Sequence, residues 1–392
     1  MDHINLGIIG CGNMGRIHID NILAGKCPKI KIAAICDINE KKLASALEKF
    51  PEDYGVAAFT DYMEMIRSGK VDSIIIAVPH YYHPGMAIKG FENGMHVISE
   101  KPIGVFTKAI HPEIEAAKKS GKVFGMMFNQ RTNPMYIKMR EIIQSGELGE
   151  ITRANWIITN WFRTQYYYDS GDWRATWSGE GGGVLLNQCP HQIDLMQWIC
   201  GMPKRVRAFA YEGKYHNIEV EDDVTAYYEY ENGATGLFIT TTGEYPGTNR
   251  FEVSGDKGKL IAENNKLTHI ITKDTVSHAR ETLKEGFAHI ECEEKVYEFD
   301  NDGGQHSEVL NRFADAVLEG KPLIANGEEG INGLTVSNAM HLSAWTGDWV
   351  DIPFDEDKYY SMLQERIKNS KFRKPESDGI VFDASNSFGG AK

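Results

Sequence analysis

The sequence predicts an α/β protein of two domains: an N-terminal doubly wound parallel sheet, then an α+β domain with a large, mostly antiparallel open sheet. Short apolar runs alternate with helical patterns over residues 1–125, and a glycine-rich segment directly follows the first run. Residues 126–353 contain strands of alternating polarity that are rich in Trp, Tyr and Thr. A charged tail with one amphipathic helix is predicted for residues 354–392.

Length, charge and cysteine usage narrow the class of protein. The 392 residues are enough for about two domains. The formal net charge of -13 disfavours nucleic acid and anionic membrane surfaces as partners, because both would repel an acidic protein. The six cysteines are scattered, which predicts reduced thiols and no metal site. No apolar stretch approaches the roughly twenty residues of a membrane span, and no signal peptide is recognisable, so we expect a cytoplasmic protein.

In the first domain, the apolar runs and the segments of helical period follow one another as in βαβ units. Strands are predicted at Ile4 to Ile9, Ile30 to Cys36, Ser73 to Val78 and His96 to Ser99, and at Lys122 to Met127, which we take as the sixth strand. Helices are predicted at Met14 to Ala24, Glu40 to Phe50 and Pro84 to Asn93. The order favours a complete dinucleotide-binding type of sheet.

The second domain has a different pattern. Alternating strands are predicted at Ile151 to Ile158, Val206 to Tyr211, Val224 to Tyr230 and Ala234 to Thr241. Helices are predicted at Gly183 to Cys200 and Glu308 to Leu318, and loop or irregular hairpin at Asn264, Asn265 and Thr275 to Gly286. Because an uncovered apolar sheet face needs a partner, we expect a homo-oligomer, either dimer or tetramer.

The glycine-rich segment has the pattern of a phosphate-binding turn. It follows the first strand and opens the first helix with Gly10, Cys11, Gly12, Asn13, Met14 and Gly15. Asp37 ends the second strand, where a carboxylate can bind an adenosine ribose and repel a 2′-phosphate. The pattern predicts NAD as cofactor, with NADP less favoured. The alternative is a simple tight turn in which Asp37 caps the next helix.

Lys101 lies where open α/β sheets place their ligands. Glu100, Lys101 and Pro102 follow the strand at His96 to Ser99, and Pro102 restricts the backbone of the lysine. Lys101 could therefore be aimed into a cleft, although a solvated surface lysine would give the same pattern. His80 and His83 lack a third ligand for a metal; we interpret them as lining the cofactor cleft beyond Pro79.

The predicted helix from Gly183 carries a polar stripe. Asn187, His191 and Asp194 recur at i, i+4 and i+7, which places them on one helical face. The pKa of imidazole lies near neutrality, so His191 could accept a hydroxyl proton. A hydrogen-bonded core histidine is the alternative.

Together these motifs resemble the Gfo/Idh/MocA oxidoreductase family. The resemblance rests on the Gly10 to Gly15 loop, Ala77-Val78-Pro79 with His83, Glu100-Lys101-Pro102, and Gly181-Gly182-Gly183 leading to His191 and Asp194. It implies that Lys101 contacts the nicotinamide ribose and the reacting hydroxyl, that Pro79 and Glu100 border the nicotinamide, and that His191 is the general acid/base. Asn129, Gln130 and Arg131 would stand near the nicotinamide end of the cleft. The family commonly has aspartate at the position of Asn187, and an amide can position but cannot carry a proton.

An aromatic and basic segment, Trp161 to Arg174, precedes the second-domain helix and is called the aromatic segment below. Flat rings beside forked donors suit a sugar, so we predict substrate contacts from Arg163, Tyr167, Trp173 and Arg174, together with Lys101, Arg131, Asn187 and His191. Packing at an interface between subunits would use the same residue types.

Three functional hypotheses follow. The first is an NAD-dependent dehydrogenase that oxidises a secondary ring hydroxyl of a sugar, glycoside or cyclitol, or reduces the ketone, with His191 as base and Lys101 orienting the hydroxyl. Within the family that the motifs resemble, Asn187 before His191 together with the aromatic segment is similar to members that act on glycosides and anhydrosugars rather than on free inositol. The second is a redox-neutral glycosidase that keeps its NAD. The third is a non-catalytic sensor of dinucleotide and sugar.

Overall fold

The computed structural model describes residues 2–373, and the first third of this range forms a parallel sheet flanked by helices. The strands are β1 (Ile4–Ile9), β2 (Ile30–Cys36), β3 (Ala57–Phe59), β4 (Ser73–Ile76), β5 (His96–Ser99) and β6 (Phe124–Met126). The helices are α1 (Asn13–Leu23), α2 (Glu40–Leu47), α3 (Tyr62–Arg67), α4 (His83–Glu92) and α5 (Ile110–Ser120). Short 3-10 turns cover His80–Tyr82 and Thr107–Ala109.

The sheet has the order β3-β2-β1-β4-β5-β6, which confirms the predicted doubly wound fold. Its central strands are apolar on both faces because helices cover both sides, and they were predictable for that reason. The strand β3 was not predicted, since three residues are too few to show a period. The strand order reverses between β1 and β4, so a cleft opens at their carboxyl ends.

The rest of the described chain forms a nine-stranded, mostly antiparallel sheet with helices on one side. Its strands are β7 (Ile151–Ile158), β8 (Arg205–Glu212), β9 (Glu221–Glu229), β10 (Thr235–Thr241), β11 (Asn249–Gly255), β12 (Gly258–Glu263), β13 (Lys266–Thr272), β14 (Cys292–Glu298) and β15 (Val350–Asp351). The helices are α6 (Pro134–Gln144), α7 (Gln165–Asp169), α8 (Pro190–Cys200), α9 (Val276–Thr282), α10 (Gln305–Glu319), α11 (Gly330–Thr346) and α12 (Glu356–Asn369). Two 3-10 turns lie at Asn129–Thr132 and Gly327–Glu329.

This sheet has the order β14-β13-β12-β11-β7-β10-β9-β8-β15, with β7 and β10 parallel and the other pairs antiparallel. The predicted α+β architecture is confirmed. On the covered face Trp156 stacks on Phe251 with ring centroids 4.3 Å apart. The opposite face leaves Ile157, Phe209 and Tyr227 exposed in the single chain. The helix α10 returns to the first sheet, where Leu310 and Phe313 join its core.

Two predicted segments differ from the structure. The helix predicted from Gly183 begins at Pro190, because Pro190 disfavours helical geometry at Cys189 and Glu221 binds the backbone N–H of Gly183. The stretch predicted as loop after Thr275 contains the short helix α9, which the Thr275 side chain caps. The tail helix is confirmed as α12, and residues 374–392 of the predicted tail lie outside the described residues.

Candidate active site

The turn between β1 and α1 is too tight for any residue but glycine at two of its positions. Gly10 has φ +98°, and a Cβ there would lie 2.3 Å from the Ala77 carbonyl oxygen. A Cβ on Gly15 would lie 1.9 Å from the carbonyl oxygen of Gly10. A Cβ on Gly12 would meet none of the described residues within 4 Å, and none of their side chains caps α1. The start of α1 is therefore accessible to an anion.

Asp37 is fixed beside this turn. Its Oδ2 accepts the Cys11 N–H at 2.8 Å, and its Oδ1 accepts the Asn39 N–H at 2.8 Å. Asn39, rather than Asp37, caps α2 by accepting from the backbone N–H groups of Lys41 and Lys42 at 3.0 and 3.1 Å. The helix-capping alternative is thus not what the structure contains. A carboxylate has about four acceptor positions, so Asp37 retains capacity for ribose hydroxyls.

The other predicted residues of the loop contribute through the backbone. The Cys11 thiol is buried, and burial raises its pKa to about 12. Since the Cys11 N–H already binds Asp37, the helix start at Asn13 and Met14 is the part of the turn that remains half-exposed. The residues present fit a dinucleotide: an accessible helix start for the pyrophosphate and a fixed carboxylate for the ribose.

A buried hydrogen bond between His18 and Glu100 lies next to Lys101, and sequence analysis did not identify it. The Nε2 of His18 lies 2.7 Å from the Glu100 carboxylate, and both side chains are buried. Burial opposes ionisation of Glu100, but the hydrogen bond and charge of His18 hold its pKa down to about 2. The ring of His306 packs edge-on against His18 at 5.8 Å, and burial lowers the pKa of His306 to about 4. Since His18 belongs to α1, the helix that begins at the glycine turn also helps to keep Glu100 ionised.

The two histidines after Pro79 contact backbone carbonyl oxygens of neighbouring segments. The ring nitrogens of His83 lie 2.8 Å from the Pro102 carbonyl oxygen and 2.7 Å from that of Val78, so His83 joins the segments that follow β4 and β5. The Nδ1 of His80 lies 3.0 Å from the Glu180 carbonyl oxygen, and its ring packs against Trp173 at 5.1 Å. His80 therefore links the first domain to the aromatic segment of the second.

Lys101 reaches across to the second domain. Its Nζ donates to the Asn187 carbonyl oxygen at 2.7 Å. The pKa of Lys101 is lowered to about 8, chiefly by burial and also by the charge of Arg174, while Glu100 and Glu180 oppose the shift. Lys101 is therefore a half-buried, directed ammonium group that titrates near physiological pH.

His191 lies in the first turn of α8 and is 3% exposed. Neither of its ring nitrogens has a hydrogen-bond partner among the described residues. Burial, followed by the charge of Lys101, lowers its pKa well below the ordinary value, so His191 is neutral at neutral pH. The imidazole of His191 is neutral and buried, and it has no hydrogen-bond partner among the described residues. It is therefore suited to accept a proton from a bound hydroxyl.

Asn187 does not share a helical face with His191, contrary to the sequence prediction. It precedes α8, in the turn segment that Glu221 holds by accepting the N–H groups of Gly183 and Leu185 at 2.9 and 3.0 Å. The Asn187 side-chain amide donates to the Glu180 carboxylate, and the main-chain carbonyl oxygen of Asn187 accepts from the Nζ of Lys101. Asn187 is placed to orient Lys101 rather than to move a proton.

Asp194 and Arg131 form a buried ion pair. The Nε and Nη2 of Arg131 donate to the two oxygens of Asp194 at 2.8 and 2.7 Å, and Arg131 also pairs with Glu329. The guanidinium is 1% exposed and lies 5.2 Å from the Trp198 ring. These ion pairs give Arg131 a structural role, and its predicted contact with the substrate stays a prediction.

Asn129 and Gln130 converge on a residue that sequence analysis missed. Their side-chain amides donate to the Oε1 of Gln305 at 2.5 and 3.2 Å. Gln305 has φ +51°, which strains a residue other than glycine. No pattern in the sequence signals this contact, since about 175 residues separate the partners.

Three of the four predicted aromatic-segment residues lie together. The Arg174 guanidinium donates to the Tyr167 hydroxyl at 2.6 Å and lies 4.6 Å from the ring centroids of both Tyr167 and Trp173. Arg163 donates to the Phe162 carbonyl oxygen at 2.9 Å and also packs against Tyr167, 5.3 Å from its ring centroid. Arg174 is the cation that lies close enough to act on Lys101.

Profiles of known families match both parts of the chain. Residues 4–128 match the oxidoreductase family with an NAD-binding Rossmann fold, and residues 136–261 match the GFO/IDH/MocA C-terminal domain. The chain belongs to the Gfo/Idh/MocA family of oxidoreductases. The family resemblance inferred from the motifs, and the assignment of an NAD-dependent oxidoreductase, are confirmed.

Relatives within the Gfo/Idh/MocA family extend over almost the whole chain. The levoglucosan dehydrogenase of Pseudarthrobacter phenanthrenivorans is 25% identical, over 90% of this chain and 99% of its own. The myo-inositol 2-dehydrogenase of Thermotoga maritima is 24% identical, over 87% and 96%. The crystal structure of the WlbA dehydrogenase of Chromobacterium violaceum, solved with NADH and UDP-GlcNAcA, is 25% identical and covers 91% of this chain and 97% of that one, with a TM-score of 0.76.

Two further properties concern residues 2–373 alone. No helix in this range is long and apolar enough to cross a membrane. The same range contains no cluster of three side chains that could hold a metal ion.

Proposed function

We propose that this member of the family is an NAD-dependent dehydrogenase that oxidises a secondary ring hydroxyl of a sugar, glycoside or cyclitol, or catalyses the reverse reduction. The observation that carries the proposal is the pairing of His191 with Lys101. Lys101 follows β5 at the carboxyl edge of the nucleotide-binding sheet, and its charge lowers the pKa of the buried His191, so the two groups that can handle protons lie near each other. A redox cofactor bound along that edge would end beside them.

The roles of the two groups follow from their protonation states. His191 is neutral at neutral pH, so its unpartnered ring nitrogen accepts the hydroxyl proton. Lys101 is mostly charged at pH 7 and donates to the hydroxyl oxygen, which orients it and stabilises developing negative charge. Asn187 holds Lys101 in place through its carbonyl oxygen. When bound, NAD accepts the hydride from the substrate carbon that carries this hydroxyl.

We assign cofactor binding to the glycine turn, Asp37, Pro79, Glu100 and Lys101, with Asn129 and Gln130 near the nicotinamide end. On the substrate side, the cluster of Tyr167, Trp173 and Arg174 offers ring faces and a forked donor beside Lys101. The dehydrogenases of levoglucosan and myo-inositol among the relatives support a polyhydroxylated ring as substrate. A glycoside or anhydrosugar is the finer proposal, and a homo-oligomer in the cytoplasm remains a prediction.

The test is NADH formation, followed by its absorbance, with NAD and a panel of sugars, glycosides, anhydrosugars and inositols. We expect a substrate in this panel to yield NADH, and the variants Lys101→Ala and His191→Ala to lose at least about a hundredfold in rate, the usual contribution of a positioned proton-transfer group. His278→Ala is the control, because His278 is an exposed histidine in α9 that contacts Asp274 and has no part in the proposed site.

Two outcomes would contradict the proposal. Cleavage of an aryl glycoside without net NADH would indicate the redox-neutral glycosidase. Binding of NAD and a sugar without either reaction, unchanged in both variants, would indicate a sensor.

A further inference from the structure

Glu180 is a buried carboxylate at the centre of the proposed site, and neither sequence analysis nor the proposed reaction gives it a role. It is 1% exposed. Its Oε1 accepts from the Asn187 side-chain amide, and its Oε2 accepts the Ala175 N–H at 2.7 Å. Because both oxygens accept hydrogen bonds, the geometry fits the ionised carboxylate.

Each of these contacts holds a segment that reaches the site. The side-chain amide of Asn187 donates to Glu180, and the main-chain carbonyl oxygen of Asn187 accepts from the Nζ of Lys101. Ala175 has φ +62°, a strained value for alanine, and directly follows Arg174. The Glu180 carboxylate therefore fixes both the anchor of Lys101 and the strained turn that positions Arg174.

The backbone of the same residue makes the third connection. The Glu180 carbonyl oxygen lies 3.0 Å from the Nδ1 of His80, which belongs to the first domain. Glu180 thus joins the end of the nucleotide-binding sheet, the aromatic segment and the turn before α8. Loss of its carboxylate would release two of these three contacts and leave the backbone contact in place.

The charges around Glu180 also support a positioning role. Lys101 and Arg174 are two cations close enough to repel each other, and Glu180 attracts both. Two other buried carboxylates lie nearby: Glu221 binds the backbone of Gly183, and Glu100, which hydrogen-bonds with His18, also raises the pKa of Lys101. Burial is the largest influence and leaves the pKa of Glu180 raised, while Arg174, the Asn187 amide and the Ala175 N–H oppose that shift and stabilise the anion.

We propose that Glu180 is a positioning residue of this active site: it holds Asn187 and Ala175 by hydrogen bonds and supplies a negative charge close to Lys101 and Arg174. Its kinetic consequence rests on the proposed dehydrogenase function. Its effect on Lys101 does not, because that effect exists in the protein without substrate or cofactor.

The first test measures the titration of Lys101 directly. Competitive acetylation of the full chain with trace acetic anhydride at a series of pH values, read by mass spectrometry of the Lys101 peptide, gives the apparent pKa of this lysine. We expect Glu180→Gln to lower that pKa by at least about half a unit, since removal of a nearby opposite charge favours the neutral amine. The matched control is Glu219→Gln, because Glu219 also accepts a backbone N–H, that of Trp177 at 2.8 Å, but does not contact Asn187.

The second variant separates charge from position. Glu180→Asp keeps the charge but shortens the side chain, so we expect the pKa of Lys101 to stay near that of the wild type while kcat falls at least about tenfold. Circular dichroism and thermal unfolding show whether each variant is folded, and Glu180→Asp serves if Glu180→Gln is not. An unchanged Lys101 pKa in Glu180→Gln, or a drop of equal size in Glu219→Gln, would overturn the proposal. Failure of the wild type to form NADH would overturn the dehydrogenase function instead, and the Lys101 titration would still decide the role of Glu180.

Discussion

The pH dependence of kcat/KM should report Lys101 and separate its two possible roles. With a pKa of about 8, Lys101 is about nine-tenths charged at pH 7 and about one-tenth charged at pH 9. If the ammonium orients the hydroxyl, kcat/KM is level near pH 7 and falls up to tenfold per pH unit above about pH 8. If the neutral amine were the base, kcat/KM would instead rise up to tenfold per unit until about pH 8.

His191 determines the acid side of the same profile. Because burial and Lys101 lower its pKa well below the ordinary value, protonation of His191 should reduce kcat/KM only well below pH 6.5. The assay is the initial rate of NADH formation at low substrate concentration from about pH 5 to 10, in buffers of constant ionic strength.

The matched variant for this prediction is Lys101→Arg, which remains charged over the whole range. We expect its residual activity to show no loss between pH 8 and 10. A rising limb centred near pH 8 in the wild type that disappears in Lys101→Arg would refute the assignment of His191 as base. An acid limb at the ordinary pKa of histidine would refute the inferred neutral state of His191.

Three further predictions concern the supports of the site. Asp194→Asn should destabilise the fold by about 3–5 kcal/mol, because it leaves the buried Arg131 with an incomplete partner, and thermal unfolding should show the loss while the pH profile of the remaining activity stays unchanged. Asp37→Ala should weaken NAD binding about tenfold, by loss of a charge-assisted hydrogen bond, in a fluorescence titration; equal affinity would show that the ribose lies elsewhere. Gly12→Val should fold normally yet lose NAD binding, whereas Gly15→Val should fail to fold because its Cβ would overlap the Gly10 carbonyl oxygen; normal NAD affinity in Gly12→Val would exclude the helix start as the pyrophosphate site.

Much of the first domain could be predicted because its physics is local. A strand buried on both faces must be apolar, so β1, β2 and β5 appear in the sequence with the bounds that the structure gives them. The glycine turn is equally local, since Gly10 requires a positive φ that only a glycine adopts without strain. Lys101 could be identified from its place after a strand at the ligand-binding edge.

The buried polar partners could not be predicted, because they meet across long stretches of sequence. Arg131 and Asp194 are 63 residues apart, and each taken alone resembles a polar site residue. Glu180 is one carboxylate beside a run of glycines, and its contacts depend on a turn before α8 that helical periodicity misses. Periodicity was misleading here because Asn187, His191 and Asp194 keep the helical spacing, although the first of them lies outside the helix.

The corrected start of α8 strengthens the functional argument. If Asn187, His191 and Asp194 had shared one helical face, the three polar groups could have satisfied one another within a single buried stripe, and no ligand would be required. Instead Asp194 binds Arg131, and Asn187 binds Glu180 and Lys101, which leaves the ring nitrogens of His191 without a partner among residues 2–373. An unpaired buried polar group is costly, typically about 1–3 kcal/mol. A bound hydroxyl would offset that cost, and the same hydrogen bond is the one through which His191 would take the proton.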